Sequence, residues 1–179
     1  MKTLSKKKYI KIGLLGGTFD PPHIGHIQIS KIGIKRFKLK KLLWLITKKN
    51  PFKNKAYFSL NNRLKLSKLL TKNVYKITVG HLEKKIKSNK VFYLLRYLKK
   101  KNPNTKFYFF MGSDNLIKFH KWYKWRKIPL LAKIVIFARP GYELNFNKYI
   151  KKKKLDKNNW IYINAKKVNI SSSLIKKFW

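Results

Sequence analysis

Gly16-Gly-Thr-Phe-Asp-Pro-Pro-His-Ile-Gly-His26 is the stretch on which the reading of this 179-residue chain turns. The apolar run at 12–15 just before it has the character of a buried β-strand, and Ile24–Phe37 after it reads as a helix. The segment is therefore expected to be a glycine turn leading from strand to helix. Such a turn delivers backbone N–H groups and the positive end of a helix to one spot. Gly16 and Gly17 allow the backbone to come close to a ligand, and Gly25 keeps the helix start clear for an anion. His23 and His26, three residues apart on the first helical turn, share a face. Two imidazole donors there suit a polyphosphate on which negative charge builds up during a reaction. The competing reading is a pair of structural histidines capping the turn.

Outward from this segment, short apolar runs alternate with helical patterns. Strands are expected at 9–15, Lys41–Ile46, 75–79, 106–111, 133–138 and 159–163. Helices are expected at Ile24–Phe37, 59–70, 91–100, 116–128 (broken) and 171–178. Several strands are almost continuously apolar, as in a sheet covered on both faces. The alternation implies an α/β fold, Rossmann-like, with a doubly wound parallel sheet and helices on both faces. Ligands bind such sheets at the carboxyl ends of the strands, near the switch in strand order. The 16–26 turn would lie there. Ser59 is expected to cap its helix, with Leu60, Leu64, Leu66 and Leu70 roughly on one face. No repeat or long linker divides the chain, so residues 1–179 are expected to form one domain. The lysine runs at 99–101 and 151–154 read as solvated helix ends or loops.

The composition, 44% hydrophobic and 15% aromatic, supports a folded core. There is no cysteine, which excludes a disulfide framework, a thiolate metal site and cysteine nucleophilic catalysis. Lys and Arg number 46 against 5 acidic residues, for a formal charge of +41. The excess is nearly all lysine and accompanies abundant Asn, Ile, Phe and Tyr. These residues share A/T-rich codons, so genomic base composition accounts for them together. Lysine is also spread through almost every segment, which argues against a dedicated nucleic-acid face. The charge still draws anionic nucleotides and costs stability through self-repulsion. The lysine-rich start is not read as a signal peptide, because the apolar stretch after it is interrupted by Lys11 and runs into the histidine turn. No apolar run approaches the ~18 residues that span a bilayer. The expectation is a soluble, cytoplasmic chain with no membrane partner.

Other segments offer matching chemistry. In Ile170-Ser-Ser-Ser-Leu-Ile-Lys176, Ser171 can cap a helix. The hydroxyls and N–H groups of Ser171, Ser172 and Ser173 offer a second anion nest, with Lys176 one turn on. The plain alternative is a capped terminal helix. Met111-Gly-Ser-Asp114 ends a strong strand, which puts Gly112 and Asp114 at a carboxyl end. Asp114 can bind ribose hydroxyls there or cap the next helix. Trp122 and Trp125 have the spacing of core packing, and the sharper reading stacks Trp122 on a flat heterocycle. Arg139, in Ala138-Arg-Pro-Gly141, is a phosphate ligand or part of a surface turn.

In these residues the chain resembles the nucleotidyltransferase superfamily with the HxGH signature, and within it the bacterial nicotinate-nucleotide adenylyltransferases. Asn50-Pro-Phe-Lys53, Arg63, Gly112-Ser-Asp114, Trp122 with Trp125, Ala138-Arg-Pro-Gly141 and Ile170-Ser-Ser-Ser173 follow the first motif in that family's order. The resemblance implies AMP transfer from ATP to nicotinate mononucleotide, giving deamido-NAD and pyrophosphate, with Mg²⁺. The mononucleotide phosphate attacks the α-phosphorus in line, without a covalent enzyme intermediate. It implies catalytic roles for His23, His26 and Lys176. Gly16, Gly17, Thr18, Phe19, Gly25, Gly112, Asp114, Arg139, Ser171, Ser172 and Ser173 would bind ATP. Asp20, Lys53, Val91 and Trp122 would bind the pyridine mononucleotide.

Two positions depart from the family. Lys90-Val-Phe-Tyr93 stands where Tyr-Thr is usual, which leaves the choice between nicotinate and nicotinamide open. Lys176 stands where Arg is usual. Rival readings are a pantetheine-phosphate adenylyltransferase, a cytidylyltransferase, or a basic nucleic-acid-binding protein on a degenerate transferase fold. His23-Ile-Gly-His26 also spells the HIGH signature of class I aminoacyl-tRNA synthetases, but the chain is too short for one. Assembly into a homo-oligomer is left open.

Overall fold

A computed structural model describes residues 9–49, 56–142 and 145–164. The chain runs β1 (Ile10–Gly17), α1 (Ile24–Phe37), β2 (Lys41–Ile46), α2 (Leu60–Thr71), β3 (Ile77–Gly80), α3 (Glu83–Ile86) and α4 (Val91–Lys101). It continues with β4 (Thr105–Gly112), α5 (Ser113–Lys118), α6 (Ile128–Leu131), β5 (Lys133–Phe137), α7 (Phe146–Lys152) and β6 (Trp160–Ile163). The six strands form one parallel sheet in the order β3-β2-β1-β4-β5-β6. This is the doubly wound order of a Rossmann-like fold, with the switch between β1 and β4.

The strands alternate between two cores although nearly every residue in them is apolar. Leu14, Phe109, Ile134 and Ile136 face one layer, with Phe92, Leu95 and Leu98 of α4. Leu15, Phe110, Val135 and Phe137 face the other, with Ile27 of α1 and Trp44 of β2. Period-two geometry sorts the side chains by parity, and helices cover both faces. Gly33 is where α1 comes closest to the sheet: a Cβ there would lie 2.1 Å from the Phe110 ring.

The element boundaries differ from expectation in three places. Gly16 and Gly17 belong to β1, paired in register with Leu45 and Ile46, and the turn begins only at Thr18. They pair with β2 only, since the pairing of β1 with β4 ends at Leu15 and Phe110, and the left-handed residue of the turn is Phe19, at φ 49°. The segment expected as a broken helix at 116–128 divides into α5, two 3₁₀ turns and α6. Trp122 is extended and Lys124 left-handed between the pieces, so no continuous ladder can form. No helix was expected at 146–152, where α7 forms, capped by Asn145 accepting from the Lys148 N–H at 3.0 Å; the lysine run at 151–154 is the solvated end of this helix, as the sequence suggested. Phe146, Tyr149 and Ile150 carried the helical spacing there. The expected helix at 171–178 lies outside the described residues.

Candidate active site

The carboxyl ends of β1 and β4 meet the start of α1. His23 is the N-cap of α1, and its Nδ1 accepts the Gly25 N–H at 3.2 Å. The Nδ1 of His26 accepts the His23 N–H at 3.2 Å. The two histidines therefore form a reciprocal capping box, a role more often filled by Ser or Thr with Glu. With Nδ1 accepting, the neutral ring carries its proton on Nε2. Both imidazoles are thus set as Nε2–H donors, with ring centroids 3.9 Å apart. The capping reading and the phosphate-donor reading describe opposite edges of the same rings.

The electrostatics agree with a neutral ring at His23. Burial, and secondarily the Arg139 charge, hold the His23 pKa down to about 4. His23 is a neutral donor at physiological pH. The His26 ring is packed by Phe19, with centroids 4.6 Å apart, and Phe19 stacks on Trp44 at 4.9 Å. Trp44 Nε1 donates to Ser30 Oγ at 2.8 Å, and Ser30 Oγ donates to the His26 carbonyl at 2.6 Å.

Across the switch point, Arg139 follows β5 and pairs with Asp114 at 2.7 Å. Arg139 N–H also donates to Ser113 Oγ at 3.0 Å. Asp114 is not the helix cap: α5 has Gly112 as its N-cap and Asp114 in its first turn. A Cβ on Gly112 would lie 2.4 Å from Asp114 Oδ1 and 2.9 Å from Arg139 Cδ, so glycine is what lets this pair sit over the strand end.

Comparison with known proteins completes the picture. The cytidylyltransferase-like family model matches residues 14–178. The probable nicotinate-nucleotide adenylyltransferase of Pelagibacter ubique is 47% identical over 175 residues, covering 97% of this chain and 96% of that protein. The chain belongs to the nicotinate-nucleotide adenylyltransferase family. The probable member from Mesorhizobium japonicum is 32% identical over 188 residues, covering 96% of each chain. A Plasmodium falciparum nicotinic acid mononucleotide adenylyltransferase, complexed with NaAD, matches with a TM-score of 0.78 at 25% identity, over 95% of this chain and 84% of that one. This chain is accordingly a nucleotidyltransferase of NAD biosynthesis. No helix among the described residues is long and apolar enough to cross a membrane.

Among the residues expected to bind the mononucleotide, the placements are mixed. Trp122 packs edge-on against Phe109, with centroids 6.1 Å apart, and against Phe119 at 5.1 Å. Phe109 in turn lies 3.5 Å from where a Gly16 Cβ would stand, so Trp122 reaches the end of β1 through one ring. The indole serves packing, as the plainer reading held, while remaining partly exposed. Val91 opens α4 and packs on the same core. Two residues on, Tyr93 stacks on Tyr123 and donates to its hydroxyl at 3.1 Å.

Asp20 differs most from its expected role. Its carboxylate accepts the N–H groups of Tyr57 and Phe58 at 2.8 and 2.9 Å and is 4% exposed. It ties the turn to the segment before α2, and the two N–H groups answer a buried carboxylate's need for donors. Thr18 contributes its carbonyl, which accepts from Arg63. Lys53, Ser171, Ser172, Ser173 and Lys176 lie outside the described residues.

The face of α2 also departs from the sequence reading. Its buried residues are Arg63, Ser67 and Thr71, with Leu60, Leu64 and Leu70 only partly buried beside them. Ser59 does cap this helix, accepting from the Asn62 N–H at 3.2 Å. Glu83 had drawn no attention. It accepts from the Thr47 hydroxyl and from the Lys48 N–H at 3.2 Å, beside Arg63. In a chain with five acidic residues, the placement of Asp20, Glu83 and Asp114 at the carboxyl edge of the sheet was the available signal.

Proposed function

We propose that this chain joins ATP to nicotinate mononucleotide, releasing pyrophosphate and forming deamido-NAD, in the cytoplasm. The observation that carries the reading is the histidine capping box at the switch point of the sheet, with His23 held neutral. Such transfer needs little covalent chemistry from the protein. It needs alignment of the attacking phosphate oxygen with the α-phosphorus, and donors where charge develops.

In this reading His26 and His23 donate to the ATP phosphates, and His26 steadies the transition state. Gly16 and Gly17 leave room for nucleotide against β1, and the α1 N-terminus adds its positive end. Gly112 and Asp114 hold ribose, with Arg139 as a nearby cation for phosphate. Ser171, Ser172, Ser173 and Lys176, taken from the sequence resemblance, hold the leaving pyrophosphate. Trp122 flanks the pyridine ring, Val91 lies on the same side, and Lys53 reaches the mononucleotide phosphate. Mg²⁺ arrives on the triphosphate as part of the substrate. Mg²⁺ is ordinarily bound through substrate phosphates and few protein ligands.

The test is pyrophosphate release from ATP with nicotinate and nicotinamide mononucleotides, assayed side by side. Turnover with the nicotinate form, lost in His26→Ala, is expected. Absence of turnover with either mononucleotide refutes the reading.

A further inference from the structure

Arg63 is 2% exposed, although it lies on α2 and carries a guanidinium. Its Nη1 donates to the carbonyls of Thr18 and Thr47, each at 2.7 Å. Its Nη2 donates to the Lys48 carbonyl at 3.1 Å and its Nε to the Phe58 carbonyl at 3.0 Å. One side chain thus gathers the backbone that follows β1, the backbone that follows β2 and the segment entering α2. Burying a charge is costly, and an apolar residue of similar volume often serves stability as well or better. Four backbone acceptors arranged around one planar fork indicate a geometric task instead.

We propose that Arg63 is a positioning residue for the transfer reaction, holding the turn that presents His23 and His26. This rests on the reading of the histidines given above. The route runs through direct contacts. Arg63 fixes the carbonyl of Thr18. Asp20, two residues on, is fixed by the N–H groups of Tyr57 and Phe58, and the Phe58 carbonyl returns to Arg63. Phe19 is held between these two anchors at φ 49°. The left-handed region is disfavoured for a non-glycine residue, and the anchors on either side hold Phe19 there. In that conformation the Phe19 ring lies against His26 and Trp44. Loosening Arg63 frees Thr18, lets Phe19 relax and removes the wall that sets the His26 ring. The carboxylates of Asp20 and Glu83 lie close enough to offset part of the cost of burying the guanidinium. Lysine offers a single ammonium with no fork and cannot reach four divergent carbonyls.

The experiment compares the full chain with Arg63→Lys and Arg63→Met. Three quantities are measured: thermal unfolding, steady-state pyrophosphate release, and ¹⁵N-edited imidazole spectra that report the tautomers of His23 and His26. The expected result is kcat lower by about 100-fold per folded molecule, the loss typical of a small misplacement in a positioned site. KM for ATP stays within about 3-fold, since the histidine donors act most strongly in the transition state. The imidazole signals pass from a single Nε2–H form to a tautomer mixture, less so in the lysine variant than in the methionine one. A kcat within about 3-fold of the parent per folded molecule overturns the proposal, and so do unchanged imidazole spectra. Where Arg63→Met does not fold, Arg63→Lys decides by the same criteria. If the parent chain turns over neither mononucleotide, the proposed function fails. The spectra then support or overturn the positioning role by themselves.

Discussion

Lowering the pH from 8 to 5 acts on the buried His23 in a way that can be worked out from the structure. Its folded pKa is about 4, against an ordinary value of 6.5 in the unfolded chain. The folded value lies below the unfolded one, so stability is intact above pH 6.5 and falls as pH drops toward 4. It then stays at its reduced level. At pH 5 the difference is RT ln[(1 + 10^1.5)/(1 + 10^−1)], about 2 kcal/mol, and at pH 8 it is negligible. The ring keeps some contact with solvent, which weakens both the burial effect and the Arg139 charge, and about 1 kcal/mol is the expected loss. The assay is urea unfolding at both pH values for the parent and for His23→Asn. Asparagine preserves an N-cap acceptor without a titrating ring. The double difference cancels the other histidines and the general charge repulsion. The parent should lose about 1 kcal/mol more than the variant on acidification. An equal loss, or a larger one in the variant, would refute a desolvated His23.

Three further outcomes are expected. In Arg139→Met the His23 pKa should rise above about 4 while staying below 6.5, since burial is the larger cause of its depression; an NMR titration showing no rise contradicts the coupling. Gly33→Ala should destabilise the chain by about 1–3 kcal/mol in urea unfolding, because the added Cβ meets the fully buried Phe110 ring and neither helix nor strand can yield. With a formal charge of +41, the chain should unfold at a higher temperature as NaCl rises from about 0.02 to about 0.3 M, where screening relieves self-repulsion. A melting temperature that is flat or falls with salt would count against that account.

The fold was legible because its signals are local. The β-α alternation predicted the parallel sheet, and all six strands were placed within about two residues of their observed ends. Position 75–79 for β3 began early because Tyr75 is apolar by composition yet sits in an exposed turn. α1 was legible to the residue, since the histidine N-cap and the helical spacing after it lie within one turn. α7 was hidden by lysine, whose abundance throughout the chain blunts the contrast between helix faces. The face of α2 was misread for a related reason. Leucine spacing suggested an apolar stripe, while the fold buries an arginine there, most of whose carbonyl partners are far away in sequence.

The site divides along the same line. His23, Gly25 and His26 are neighbours in sequence, and their reciprocal hydrogen bonds need no distant partner. The sequence alone therefore determined the strand-to-helix turn with its paired histidines and the family to which the chain belongs. Only tertiary structure brought Arg139 close enough to His23 to lower its pKa and paired Arg139 with Asp114. Tertiary structure likewise directed Asp20 to the backbone before α2 and set Arg63 among four carbonyls. Backbone acceptors carry no residue code, and the distances that matter are set by how the strands are ordered in the sheet. A capping box can be read from spacing, whereas a network built on carbonyls appears only once the chain has folded.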